Sequence, residues 1–255
     1  MKKTIISGLS LALVLLASAG TASAQDDDML VIPVEIYACK YNDGKGPTDL
    51  DAVVDKWNAW ADKQKEQSYA AWTLTPFYFG QEQDFDVIWL GAGKDGAALG
   101  RAQDNYLAND EGLVEAFTGV ISCRAHTSMA SINHKAPPKG ATPKDSFMTF
   151  SDCSYKDGAS FRGLNTAMDE WEGHLKAAGS KAGIWHWYPW NGGGDEDFDF
   201  KWIEAHASLA DMGGDFDDYG NGRGFETAGK LFGHMIDCDS NRVYVAKSRR
   251  HVQLR

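Results

Sequence analysis

The sequence predicts an α+β protein made of two tandem βαββαβ repeats packed sheet to sheet. Three observations carry this reading: the chain is written twice, each copy shows the same order of strand and helix signals, and two cysteines stand at matching places in each copy. Cys39-Lys-Tyr-Asn-Asp-Gly44 opens the first copy, and Cys153-Ser-Tyr-Lys-Asp-Gly158 opens the second, 114 positions later. The same offset carries Leu50 onto Leu164, Asp55 onto Asp169 and Trp57 onto Trp171. After a one-residue deletion, Asp84-Phe85-Asp86 and Trp89 meet Asp197-Phe198-Asp199 and Trp202. Phe117, Ile121 and Cys123 then meet Phe232, Ile236 and Cys238 at an offset of 115. A duplication of this length sets the architecture before any residue is assigned a role.

Residues 1–24 read as a cleavable signal peptide. Lys2 and Lys3 precede an apolar run from Ile5 to Ala19, and Ala22-Ser23-Ala24 forms a small-residue cleavage site. The expected location is therefore periplasmic or secreted, with no membrane contact after cleavage. The leader holds two of the 25 basic residues and none of the 36 acidic ones, which leaves the remainder at −13. That balance argues against nucleic acid as a partner.

The first copy, 25–135, begins with a β-branched and aromatic strand, Leu30 to Tyr41, ending in the turn signal Asn42-Asp43-Gly44. Thr48 or Asp49 is placed to cap the helix that follows, whose Leu50, Val53, Val54, Trp57 and Trp60 recur at spacings of three and four. Strands follow at Tyr69 to Phe79 and Phe85 to Leu90, then helical stretches at Ala97 to Tyr106 and Leu113 to Phe117, then a strand from Val120 to Ser131. A proline-rich linker, 136–144, leads into the second copy, 145–255, which repeats the order from Ser146–Tyr155 to Arg242–Ser248.

This order is the split-βαβ, ferredoxin-like motif, in which the first and last strands are antiparallel neighbours. The end of strand one then lies beside the start of strand four. Cys39 and Cys123 occupy those places, and Cys153 and Cys238 repeat them, so two disulfides within the copies are expected in an oxidising compartment. One such sheet has an uncovered face, and two copies can cover each other. The chain resembles the dimeric α/β-barrel superfamily, in which two ferredoxin-like units pack around a central cavity. The resemblance implies an internal pseudo-dimer that is monomeric as a chain. It also admits the activities of that superfamily, which include cofactor-independent monooxygenases and haem-handling proteins.

Period-two alternation divides each strand into two sides. With the aromatic side taken to lie under the helices, Glu35, Tyr37, Asp86, His186, Tyr188, Asp199 and Lys201 fall on the cavity wall between the sheets. Either that space is wet and functional, or Asp86 and Asp199 are satisfied by neighbouring backbone. Trp89 and Trp202 are read as core. The copies differ where Thr73 becomes His186, Thr75 becomes Tyr188 and Ile88 becomes Lys201. His186 and Asp199 are candidate general-base partners, with Lys201 beside them to steady an anion; Glu35, Tyr37, Asp86 and Tyr188 are candidate ligand contacts.

Asp215 to Glu226 matches the calcium-loop pattern at its first, third, sixth and twelfth positions and fails at the fifth, where Tyr219 stands. A solvated acidic loop is expected, and no metal is assigned. Neither a phosphate-binding loop, a nucleophile elbow nor a zinc-protease motif is present, and no cofactor is expected. The function these features favour is an exported protein that binds a small aromatic or amphipathic molecule. An oxygenase or isomerase without cofactor, and a periplasmic structural module, are the rivals.

Overall fold

A computed structural model describes residues 29–138, 145–194 and 196–254. The leader lies outside the described residues, as does most of the proline-rich linker. In the first copy the elements are β1 (Val31–Tyr41), α1 (Pro47–Ala61), β2 (Tyr69–Tyr78), β3 (Val87–Gly93), α2 (Gly96–Ala108), α3 (Leu113–Thr118) and β4 (Ile121–Lys135). In the second they are β5 (Asp145–Tyr155), α4 (Phe161–Ala178), β6 (Gly183–Asn191), β7 (Phe200–His206), α5 (Leu209–Gly220), α6 (Gly224–Phe232), β8 (Ile236–Cys238) and β9 (Arg242–Arg250). The final strand of the second copy is thus split in two.

The first copy has the strand order β4-β1-β3-β2, and the second reproduces it as β9-β5-β7-β6. The copies do more than stack. β4 pairs with β6, and β2 pairs with β9, both antiparallel, so the sheet closes on itself through eight strands. Closure removes the free strand edges that two separate sheets would expose.

Helix α1 buries the periodic positions read from the sequence, Leu50, Val53, Val54, Trp57 and Trp60. Helix α4 buries Leu164 and Trp171, the counterparts of Leu50 and Trp57, with Met168 and Leu175. Asp49 stands at the third position of α1, where its carboxylate accepts from the Gly46 N–H at 3.0 Å rather than occupying the cap itself. Both disulfides form as expected, Cys39 to Cys123 across β1 and β4, and Cys153 to Cys238 across β5 and β8.

The core has three parts. One lies inside the barrel, built from Val34, Leu74, Ile88, Leu90, Met129, Met148, Phe150, Trp187, Ile203 and Tyr244. The other two lie outside it, under the helices of each copy. An eight-stranded barrel has room for its own side chains or for one small ligand, and here the side chains take the space. The space between the sheets, expected to hold a ligand, is therefore filled with apolar packing.

Candidate functional site

Ligand-sized space occurs outside the barrel, between the sheet and the helices. The first copy has a cavity of about 770 Å³, and the second has one of about 930 Å³. Cys39 and Cys123 line the first, and Cys238, the counterpart of Cys123, lines the second, so the duplication relates the two cavities.

At the floor of the first cavity sits a buried carboxylate. Glu35 is only 3% exposed, yet it carries three donors. The Tyr69 hydroxyl donates to Oε1 at 2.6 Å, and Gln103 Nε2 donates to Oε2 at 2.8 Å. His126 Nε2 lies 2.9 Å from Oε2. Burial raises the Glu35 pKa, but the bonds from His126, Tyr69 and Gln103 outweigh it and hold it below the ordinary range. An ionised carboxylate only accepts, so His126 carries its proton on Nε2. Trp89 Nε1 donates in turn to the Tyr69 oxygen at 3.0 Å, and burial raises the Tyr69 pKa well above the ordinary phenol value.

Around this network the walls are aromatic. Trp57 meets Trp89 edge to face at 5.0 Å, Trp89 meets Phe117 at 5.7 Å, and Trp60 meets Tyr106 at 5.8 Å. The Tyr37 ring stacks on His126 with centroids 3.7 Å apart. An apolar cavity with a few convergent polar groups is the usual form of a small-molecule site. A further contact is made possible by Gly91: a Cβ there would lie 2.0 Å from the Tyr69 hydroxyl oxygen and 2.9 Å from Glu35 Cγ.

The seven residues assigned to the barrel wall separate. Glu35 and Tyr37 meet in the first cavity, on the helix side. Register explains the reversal: Tyr37 is paired with Trp89 across β1 and β3, and cross-strand partners share a face. Val34 and Ile36 therefore point into the barrel, opposite to the sequence reading. Trp72, Leu74, Trp185 and Trp187 likewise face the barrel core, and His186 and Tyr188 are on the helix side. Trp89 and Trp202 lie in the core under the helices, as read, and Val87 and Phe200 share that side. Phe85 and Phe198, just before their strands begin, turn into the barrel.

Asp86 and Asp199 play the same backbone role in each copy. Asp86 accepts from the Tyr41 N–H at 2.9 Å, and Asp199 from the Tyr155 N–H at 2.7 Å. Each also donates its own N–H to the carbonyl of the nearby disulfide cysteine, Cys39 or Cys153, at 2.9 Å. His186 and Asp199 form no pair. His186 is fully buried among His134, Phe200 and Trp202, with neither ring nitrogen hydrogen-bonded, and burial keeps it neutral. Tyr188 shares a hydrogen bond with Tyr155 at 3.0 Å. Lys201 does face the barrel, but it is committed to Asp152, which Arg242 also holds at 3.0 Å. The expected constellation of His186, Asp199 and Lys201 does not assemble.

Asp215 to Glu226 is not a loop. It runs from the end of α5 through a short turn into α6, so its acids are spaced on a helix and cannot wrap one cation. Sequence reasoning missed Tyr69, Gln103 and His126, which come from strands and a helix far apart in the chain. The only signal for them lay in Glu35 itself, a carboxylate in an apolar strand that requires partners.

No protein-family model matches the sequence, and no curated protein is similar to it in sequence. Solved structures are similar in fold. A monooxygenase-like protein from Lactobacillus acidophilus matches with a TM-score of 0.52 and 10% identity, over 86% of this chain and 94% of that one. A chlorite dismutase-like protein matches with a TM-score of 0.50 and 11% identity, over 89% of this chain and 96% of that one. The chain has the dimeric α/β-barrel fold. In this barrel both halves come from one chain, so the two outer cavities are free to differ.

Proposed function

We propose that this is an exported protein that binds a small aromatic or amphipathic molecule in the cavity of the first copy. The observation carrying the reading is Glu35, a buried, ionised carboxylate at the floor of an aromatic-walled space. Rings from Trp57, Trp89, Phe117 and Tyr106 suit a planar ligand. The fold neighbours named above, one monooxygenase-like, support a small-molecule ligand. The leader supports export, tested by N-terminal sequencing of protein recovered outside the cytoplasm.

The experiment is a titration of the mature protein with aromatic compounds, followed by tryptophan fluorescence. Ligands that quench or shift the emission should lose at least tenfold in affinity when Phe117→Ala or Trp60→Ala opens the wall. Equal affinity in both variants removes the reading.

A second reading, cofactor-free catalysis, is favoured by the Glu35–His126 pair. Glu35 fixes the His126 proton on Nε2 and leaves Nδ1 as an acceptor on a half-exposed ring, the arrangement of a general base. His126→Gln should then abolish consumption of the ligand without preventing its binding.

Haem, which some proteins of this fold handle, does not fit the residues of the second cavity. The larger cavity has the room, but its His206 nitrogens are buried beside Glu204 and Asp215. Porphyrin carboxylates would also face these acids and Asp218, with no lysine or arginine among the described lining residues.

A further inference from the structure

The cavity of the second copy has the same place in its repeat as the first but inverted chemistry. On its β-strand floor, Thr149 and Ser151 stand where the first copy has Glu35 and Tyr37. Glu204 and His206 stand where the first copy has Gly91 and Gly93. The strand pairing makes this an exchange across one ladder. Glu35 is paired with Gly91, and Thr149 is paired with Glu204. The carboxylate has moved from the first strand of the copy to the third.

The moved carboxylate is differently satisfied. Glu35 has three side-chain donors, whereas Glu204 accepts from Trp202 Nε1 at 3.1 Å. Asp215 accepts from the Ser180 hydroxyl at 2.8 Å, and burial raises its pKa. Between the two lies His206, 2% exposed, its Nε2 3.4 Å from Glu204 and its Nδ1 3.5 Å from Asp215. Neither contact has hydrogen-bond geometry, so a buried imidazole in the cavity wall is without a partner. Lys135, whose charge is felt at both acids, donates to the Ser180 and Ala182 carbonyls instead. Trp171 and Trp202 line the interior, and Tyr219 and Phe225 lie partly exposed among its walls.

We propose that this second cavity is a separate site for an organic cation, a primary or secondary ammonium carried on an apolar or aromatic body. Glu204 and Asp215 supply the charge, His206 supplies hydrogen-bonding capacity that the protein leaves unused, and the aromatic rings attract a cation face-on. The cavity of about 930 Å³ admits a molecule of drug-like size. The site is independent of the ligand assigned to the first cavity.

The test titrates the mature protein with 2-phenylethylammonium at low salt by calorimetry, beside 2-phenylethanol and 3-phenylpropionate. The cation should bind at least tenfold more tightly than the alcohol, and the anion more weakly than both. Glu204→Gln and Asp215→Asn should each cost the cation about tenfold and leave the alcohol unchanged, with the His206 ring resonances shifting on binding. Glu35→Gln should leave the cation's affinity as it was. Equal binding of cation and anion, no cation binding at millimolar concentration, or indifference to both acidic substitutions overturns the proposal. A loss confined to Glu35→Gln also overturns it, because it puts the cation in the first cavity. Should Asp215→Asn fail to fold, Glu204→Gln decides.

Discussion

His126 donates from Nε2 to Oε2 of Glu35 across 2.9 Å, from the strand next to the one that carries the carboxylate. The contact orders both partners: it fixes the histidine tautomer, and it helps to keep the glutamate ionised while almost wholly buried. Removing the charge while keeping the shape should be costly. Glu35→Gln must turn an amide N–H₂ toward at least one group that now donates. The expected loss is about 1–3 kcal/mol in urea unfolding; an unchanged midpoint would show the network to be slack.

The same pair predicts a pH dependence with a definite sign. The folded pKa of Glu35 lies below its ordinary value, so the native state binds this proton less readily than the unfolded chain. Its contribution is complete above the ordinary glutamate range, about pH 4 to 5. It fades as pH falls through that range toward the lower folded value. The stability gap between wild type and Glu35→Gln should therefore narrow on acidification. A gap that widens would reverse the assignment.

Gly91 should resist even the smallest side chain. A methyl there occupies the path of the Tyr69 hydroxyl to Glu35, and Tyr69 is itself held by Trp89. Gly91→Ala should cost about 1–3 kcal/mol and change the tryptophan emission as the Trp89 bond is lost. Full stability with unaltered emission would refute the close approach.

His186→Phe should be harmless to folding or stabilising. The ring lies 4.7 Å from Phe200 and 4.8 Å from Trp202 with both nitrogens unpaired, so an apolar ring removes a desolvation cost. Thermal unfolding should show an equal or higher midpoint. A fall of several degrees would mean that His186 has a polar partner after all.

Each disulfide closes a long loop, with Cys39 and Cys123 separated by 84 positions and Cys153 and Cys238 by 85. Replacing either pair with alanine should cost roughly 4 kcal/mol by loop entropy. The two costs should add, since the crosslinks lie in different copies. Chemical denaturation with and without reductant measures both.

The sequence by itself determined the duplication, the βαββαβ order, the helix faces around Trp57 and Trp171, and both disulfides. These follow from local periodicity and from matching positions in two copies, which need no knowledge of what lies across a strand. Alternation also separated Glu35 and Tyr37 from Val34 and Ile36. It did not say which side met the helices, because both sides of a strand sandwiched between a barrel core and a helix layer carry apolar residues. Cross-strand register decided that, binding Tyr37 to the face of Trp89 and sending the aliphatic side into the closed barrel. Closure itself, through β4 with β6 and β2 with β9, depends on contacts between the copies and filled the space that a stacked pair of sheets would have left open. The partners of Glu35 were hidden for the same reason: Tyr69, Gln103 and His126 are 34, 68 and 91 positions away from it, and only the folded chain brings their donors to one carboxylate.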